Sequence, residues 1–189
     1  MVRWEPGARE RLVEAALALY ADRGFEQTTV DDIAERAGVT QRTFFRHFAD
    51  KREVLFDGSS ELVGVLERTI DEQADASSPA RAAEEAFVSA AAIIDGRPPG
   101  FPRRRAAVIA RTTALQEREL LKLASMTATV RDALARRGHD PVVAQLAAEL
   151  GTAAFRVAFQ RWIERDDAGS LVAAVRESFV SLRALAAET

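Results

Sequence analysis

Residues 28–51, TTVDDIAERAGVTQRTFFRHFADK, decide how the chain folds. Thr29 is placed to cap a short helix whose apolar residues recur at intervals of three and four. Gly38 ends that helix, because glycine accepts the left-handed backbone that comes after a helix. A second helix comes next, with Phe44 and Phe48 on its apolar side. Two short helices joined by a glycine turn predict a helix-turn-helix that binds duplex DNA.

The charge of this segment supports DNA binding, although the charge of the whole chain does not. The chain carries 26 basic and 29 acidic residues, a net charge of −3, so it is not a general binder of polyanions. Residues 36–52 contain five basic side chains and a single acidic one, Asp50. Such a cluster alone is more often a solvated helix face. Beside a helix-turn-helix pattern it favours contact with DNA phosphates.

Four short motifs lie in and around this segment. They are Gly24-Phe25, Thr29-Val30-Asp31-Asp32-Ile33-Ala34, Gly38-Val39 and Thr43-Phe44-Phe45-Arg46-His47-Phe48. With Lys51 after them, the region from about residue 8 to 56 resembles the DNA-binding domain of TetR-family transcriptional regulators. One position departs from the family, which often has tyrosine where this chain has Phe45. The tyrosine hydroxyl commonly bonds a phosphate there, so we expect Phe45 to make an apolar DNA contact or none.

The candidate DNA contacts are assigned by their position on the second helix. Its first turn faces base edges in a helix-turn-helix, where arginine can bond guanine and glutamine can bond adenine. Gln41, Arg42 and Thr43 fill that turn. Residues towards the end of the second helix and just after it, and those at the start of the first helix, are expected to hold phosphates. These phosphate candidates are Thr28 or Thr29, Arg46, His47 and Lys51. For Thr29, helix capping is an equally good explanation.

The rest of the chain predicts helices and no convincing strand. We expect an all-α protein of about nine helices, with a three-helix DNA-binding domain over residues 1–52 and a helical domain over residues 53–189. A fourth helix over about residues 50–73, capped at its first residue, should join the two. The long apolar pattern of residues 103–138 should break near Thr112. Three helices alone bury little surface, so they should pack against helices later in the chain.

The last two helices predict close helix packing. Along residues 141–165 a stripe of small residues is bordered by larger apolar ones, and small residues let helices approach closely. By periodicity alone this stripe could serve a dimer or the core of one monomer. Resemblance to the TetR family implies a homodimer through the last two helices, whose two recognition helices would read successive major grooves. The small residues are Ala144, Ala147, Ala148, Gly151, Ala154 and Ala158.

The same resemblance implies a pocket for an unidentified small-molecule effector in the C-terminal domain. Effector and DNA would oppose each other by favouring different states, with the fourth helix as the connecting element. Candidate pocket residues are Leu62, Leu66, Phe87, Phe101, Met126, Phe155, Phe159 and Trp162. Side chains of these types at helical spacing more often form plain core. Residues 103–105, three arginines, could meet an anionic ligand, with the surface as the alternative.

The sequence shows no sign of an enzyme. His47 and His139 stand far apart, and HExxH, GxSxG, P-loop and GxGxxG motifs are absent. We therefore expect no catalytic residue, no metal site and no cofactor. No apolar run approaches the ~20 residues of a membrane helix, and no leader opens the chain. We expect no membrane partner and a cytoplasmic location.

The combined prediction is a sequence-specific transcriptional regulator acting on a double-stranded DNA operator. By its resemblance to the TetR family, it is expected to be a ligand-responsive repressor that works as a homodimer. The alternative is a helical protein that binds small molecules or serves as a scaffold, without specific DNA readout. Sequence-dependent DNA affinity separates the two.

Overall fold

A computed structural model describes residues 7–73, 78–165 and 169–187, and within these ranges the protein is all helical. The described part contains nine α-helices and one short 3₁₀ helix, which confirms the predicted fold class. In chain order they are α1 (Ala8–Arg23), α2 (Val30–Arg36), α3 (Gln41–His47), the 3₁₀ helix (Glu53–Phe56), α4 (Ser59–Asp71), α5 (Pro79–Asp95), α6 (Phe101–Ala110), α7 (Thr113–Arg136), α8 (Pro141–Glu164) and α9 (Leu171–Ala187).

The chain forms two compact units. The first comprises the residues up to Gly58 together with Arg103–Arg118, and the second comprises Ser59–Pro102 and the chain from Glu119 onward. The first unit therefore takes in α6 and the start of α7, which lie outside the predicted DNA-binding domain of residues 1–52. The break expected near Thr112 is present, between α6 and α7.

Two arginines of α6 explain why this helix belongs to the first unit. The guanidinium of Arg104 donates to both carboxylate oxygens of Glu14 on α1, at 2.7 and 3.0 Å. The next residue, Arg105, donates from Nε to the carbonyl oxygen of Leu55 at 2.6 Å. Both side chains are thus engaged inside the first unit, so the anionic-ligand hypothesis does not hold for them.

The first turns of α7 also belong to the first unit, and they are held there in the same way. Arg118 donates from Nε and Nη2 to the two carboxylate oxygens of Glu53, at 2.7 and 2.9 Å. Its guanidinium carbon also lies 4.7 Å from the ring centroid of buried Phe56. A planar pair that is both bidentate and stacked is well oriented. Three helices alone bury little surface. These contacts increase the surface that the first unit buries.

The predicted continuous helix over residues 50–73 is wrong. Asp50 does act as a cap, because its Oδ1 accepts the backbone amides two and three residues later at 2.8 and 3.0 Å. It opens only the 3₁₀ helix, however, since Gly58 has φ +84° and ends that segment. A new helix, α4, then begins at Ser59. The left-handed glycine is the physical reason for the break.

The small-residue face of α8 lies in the core of the second unit. Its six small residues are all buried, and the helix packs against α5. Gly151 marks the closest approach: a Cβ at this position would lie 2.7 Å from Cε2 of Phe87 and 3.6 Å from Cβ of Ala83. Periodicity left open whether this stripe serves a dimer or the core of one monomer. The structure places it in the monomer core.

A matched pair of glycine substitutions tests this close approach. Gly64→Ala in α4 should stabilise the protein by up to about 1 kcal/mol, because alanine favours helix and the new Cβ meets only the flexible end of Arg68. Gly151→Ala gains the same propensity but must displace fully buried Phe87, an overpacking that costs about 1–3 kcal/mol. We expect chemical denaturation to show a net loss for Gly151→Ala. Stabilisation by both changes would contradict the packing described.

Helix α8 is also the one helix, within the described ranges, that is long and apolar enough to cross a membrane. Glu149, Arg156 and Arg161 are exposed along it. Its opposite face is buried against α5. Charged side chains among the exposed residues and a face buried against α5 are the pattern of a core helix, and this is how we interpret α8.

Candidate DNA-binding interface

The helix before the turn is fixed at its start by a capping box. The amide of Asp32 donates to Oγ1 of Thr29 at 3.1 Å, and the amide of Thr29 donates back to Oδ2 of Asp32 at 2.8 Å. The Thr29 hydroxyl also donates to Oδ2 of Asp32 at 2.6 Å, and this bond first, with that of the Thr29 amide, lowers the pKa of the Asp32 carboxyl. The carboxylate form therefore holds the box together, and acidification below its pKa removes that support.

The turn itself is a Schellman motif built on one glycine. Gly38 has φ +66°, and its amide donates to the carbonyl of Glu35 at 3.0 Å. The amide of Val39 reaches back to the carbonyl of Ala34, also at 3.0 Å. Only glycine takes this backbone without strain. The angle at which α3 leaves α2 is therefore set by local sequence.

The recognition helix, α3, is anchored by its apolar side. Thr40 caps it, accepting the Thr43 amide at 3.2 Å, and the two hydroxyls share a hydrogen bond of 3.0 Å. Phe44 and Phe48 are buried beneath it with ring centroids 5.7 Å apart. Threonine at the start and two phenylalanines behind leave α3 little freedom to rotate about its axis.

The opposite side of α3 is open. Gln41, Arg42, Phe45 and Arg46 are exposed. The side chains of Gln41, Arg42 and Arg46 form no hydrogen bond or ion pair with any residue that the structure describes. Thr43 and His47 are half-buried at the flanks, and Nε2 of His47 is buried with no hydrogen-bond partner in the described chain. The structure thus brings six of the nine predicted DNA-binding residues onto one helix, four of them fully presented.

Two predicted phosphate contacts need correction. Thr28 is completely buried, and its hydroxyl donates to the carbonyl of Gly24 at 2.8 Å. Lys51 donates from Nζ to the carbonyls of Phe25 and Thr28, both at 2.8 Å, and its ammonium lies 4.4 Å from the Phe25 ring centroid. Both side chains bind the loop that precedes α2. Thr29 stays exposed, but its hydroxyl is used in the capping box.

Sequence reasoning missed two residues that position α2 and α3. Arg11 on α1 donates from Nε to the carbonyl of Ala37 at 3.0 Å, which fastens the end of α2. The hydroxyl of Tyr20, also on α1, donates to the carbonyl of Lys51 just after α3. Burial raises the pKa of that phenol, so it stays a donor. Sequence separations of 26 and 31 residues provide no local pattern that could have identified either bond.

The predicted pocket residues belong mostly to one buried cluster of the second unit. Leu62, Leu66, Phe87, Met126 and Phe155 lie inside it. Phe159 and Trp162 are half-buried against it. The structure therefore brings seven of the eight together. The eighth, Phe101, begins α6 outside this cluster.

Two family models match the chain. The first, bacterial regulatory proteins of the tetR family, matches residues 12–57, and the second, the MftR C-terminal domain, matches residues 77–187. The first region coincides with the capped helices and turn described above. The second spans α5 to α9.

Curated relatives and solved structures agree with these models. The putative mycofactocin biosynthesis transcriptional regulator MftR of Mycobacterium tuberculosis is 28% identical over 169 residues, 88% of this chain and 84% of the relative. The regulator TcmR of Streptomyces glaucescens is 54% identical over 46 residues, which cover 24% of this chain but only 20% of TcmR. The SmeT–triclosan complex has a TM-score of 0.64 at 21% identity, covering 92% of this chain and 90% of SmeT.

These findings confirm the resemblance seen in the sequence, and SmeT, at 21% identity, supports the fold alone. The two matched regions together take in most of the chain and leave out little more than its ends and α4. The protein therefore belongs to the tetR family of bacterial regulatory proteins.

Proposed function

We propose that the protein is a ligand-responsive repressor that acts in the cytoplasm as a homodimer on a double-stranded DNA operator. The observation that carries the proposal is the open face of α3. Gln41, Arg42 and Arg46 point away from two buried phenylalanines and have no partner within the described residues. Long polar side chains held ready on a capped helix fit the major groove.

Arg42 is the proposed reader of a guanine. Each bidentate contact of arginine with guanine O6 and N7 is worth about 1–3 kcal/mol of discrimination. We expect Arg42→Ala to lose about that much affinity per half-site for a selected operator and far less for random duplex. Fluorescence anisotropy titrations of both duplexes at several salt concentrations measure the two losses. Equal losses on both would contradict base reading by Arg42.

Arg46 is the proposed phosphate contact, and Lys51 is its control. Each phosphate neutralised contributes about 0.9 to the slope of log affinity against log salt, so Arg46→Ala should flatten the slope by about 1.8 for a dimer. Lys51→Ala should leave the slope unchanged, because its ammonium is bound to the loop before α2. It should instead lower thermal stability. A flatter slope for Lys51→Ala would restore Lys51 as a phosphate contact.

The homodimer is proposed to form through the outer faces of α8 and α9. Along α8, exposed apolar residues recur at intervals of three and four, and α9 adds exposed Val180. This stripe, distinct from the buried small residues, consists of Val143, Leu146, Leu150, Ala153 and Val157. A second copy related by two-fold symmetry could cover it with the same face. Two copies also supply the two recognition helices that successive major grooves need.

The effector is proposed to bind within the second unit, against its buried cluster. Solved structures of this fold hold molecules with apolar parts: SmeT is bound to triclosan, and a Bacillus subtilis FadR is bound to stearoyl-CoA, which has an apolar acyl chain. The fourth helix is a weaker connecting element than expected, since Gly58 interrupts it. Helix α7 is better suited, because its first residues lie in the first unit, where Arg118 binds Glu53, and the rest of the helix belongs to the second. With triclosan and stearoyl-CoA as first probes, an effector that saturates the protein without changing operator affinity would refute this coupling.

A further inference from the structure

The exposed ring of Phe45 on α3 has no role in hydrogen bonding to DNA, so its presence on this face needs another explanation. Its side chain is 53% exposed on the face that also presents Gln41, Arg42 and Arg46. We propose that Phe45 reads the 5-methyl group of a thymine in the major groove. The proposal rests on the proposed function and adds to it a residue that determines sequence specificity through an apolar contact.

The direction of the ring favours a base over the phosphate backbone. Side chains of a helix lean towards its N-terminus and cover the preceding turn. We therefore expect the ring of Phe45 to lean towards the turn of Gln41 and Arg42. That turn is the part of a recognition helix that approaches base edges.

The chemistry of the ring selects one group among those that the bases display. Phe45 offers neither a hydrogen-bond donor nor an acceptor, so covering a polar base edge with it would leave that edge unsatisfied. In the major groove, guanine, adenine and cytosine present donors and acceptors, whereas thymine also presents a methyl group. The methyl group is the apolar partner that matches an apolar ring.

A contact within the protein also restricts the ring before DNA arrives. Phe44 behind it is completely buried, and the two rings meet edge to face, with centroids 5.4 Å apart and planes at 83°. A side chain that is already restricted loses less freedom on binding, so less of the energy of the thymine contact is spent on ordering the ring.

Deletion of the methyl group from DNA gives a direct test. Duplexes are first selected from a random pool by the full chain, and each thymine is then replaced by deoxyuridine, which lacks only that methyl. At one thymine per half-site we expect wild-type affinity to fall about fourfold, the factor for burying one methyl-sized group. Replacement in both half-sites should give about sixteenfold. Anisotropy titrations at fixed ionic strength measure these ratios.

Variants of Phe45 complete a double-mutant cycle with the DNA change. Phe45→Ala should bind the thymine and deoxyuridine duplexes equally at that position, whereas Phe45→Tyr keeps the ring and should keep the difference. Phe45→Leu, with circular dichroism, checks that truncation leaves the helices intact. If no deoxyuridine matters while Phe45→Ala weakens every sequence alike, the ring touches sugar or phosphate and the proposal is overturned. If selection enriches no sequence, the proposed function itself fails.

Discussion

Leu150→Glu should convert the protein to a monomer and lower its affinity for a selected operator by about 10²–10⁴-fold, the range by which linked binding of two sites exceeds binding of one. Leu150 is 47% exposed at the centre of the apolar stripe of α8. At a two-fold interface the change places two carboxylates against apolar surface, and each buried charge costs several kcal/mol. Light scattering after gel filtration measures the mass, and anisotropy measures the affinity.

A leucine elsewhere in the second unit provides the control. Leu121 on α7 is 65% exposed and can take the same change to glutamate. Leu121→Glu should keep the mass of a dimer and the affinity of the wild type. Because Leu150 is not part of the buried cluster, Leu150→Glu should also keep the wild-type unfolding free energy of the monomer. A variant Leu150→Glu that remains a dimer would move the interface away from α8.

Local sequence chemistry was enough to predict the recognition helix and its turn. The capping box of Thr29, the left-handed backbone at Gly38 and the cap at Thr40 each depend on residues within five positions. The apolar side of α3 is set by Phe44 and Phe48, four residues apart. Features of this kind are encoded where they occur, so a single sequence suffices to predict them.

Two of the failures involve partners distant in sequence. Lys51 reads as a phosphate contact until its ammonium is seen to bind carbonyls 23 and 26 residues earlier. Helix α6 reads as part of the C-terminal domain, yet Arg104 binds Glu14, 90 residues away. A positive charge in a sequence does not say whether it meets DNA, a carbonyl or a carboxylate. Only the fold decides which of these partners lies within its reach.

The apolar stripes of α8 show the same limit in another form. Helix α8 carries one stripe of small residues and one of larger apolar residues, and both recur at helical spacing. Periodicity therefore could not assign either stripe to the monomer core or to a dimer interface. The structure buries the small residues together with Phe155 and exposes Val143, Leu146, Leu150 and Val157. Close approach explains the choice, since Gly151 is where α5 and α8 leave no room for a side chain.

Phe44→Ala should lower the unfolding free energy of the first unit by about 3–5 kcal/mol, the usual cost of truncating a fully buried phenylalanine. Phe44 is completely buried beneath α3, where its ring contacts those of Phe45 and Phe48. Stabilities of small domains are of the same order as this loss. The variant should therefore lose DNA binding because α3 is no longer held. Hydrogen exchange of the amides of α2 and α3 measures the change where it occurs.

The adjacent residue gives the matched control, because Phe45→Ala removes the same atoms from an exposed position. We expect a loss below about 1 kcal/mol, since surface truncations away from special contacts cost little. Exchange of α2 and α3 should stay close to the wild type while affinity for the selected operator falls. The pair thus separates the two roles proposed for the aromatic residues of α3, in which one side chain holds the helix and its neighbour contacts DNA. Equal loss of protection in both variants would mean that the ring of Phe45 supports the fold. Its assignment as the apolar contact of α3 with the groove would then be wrong.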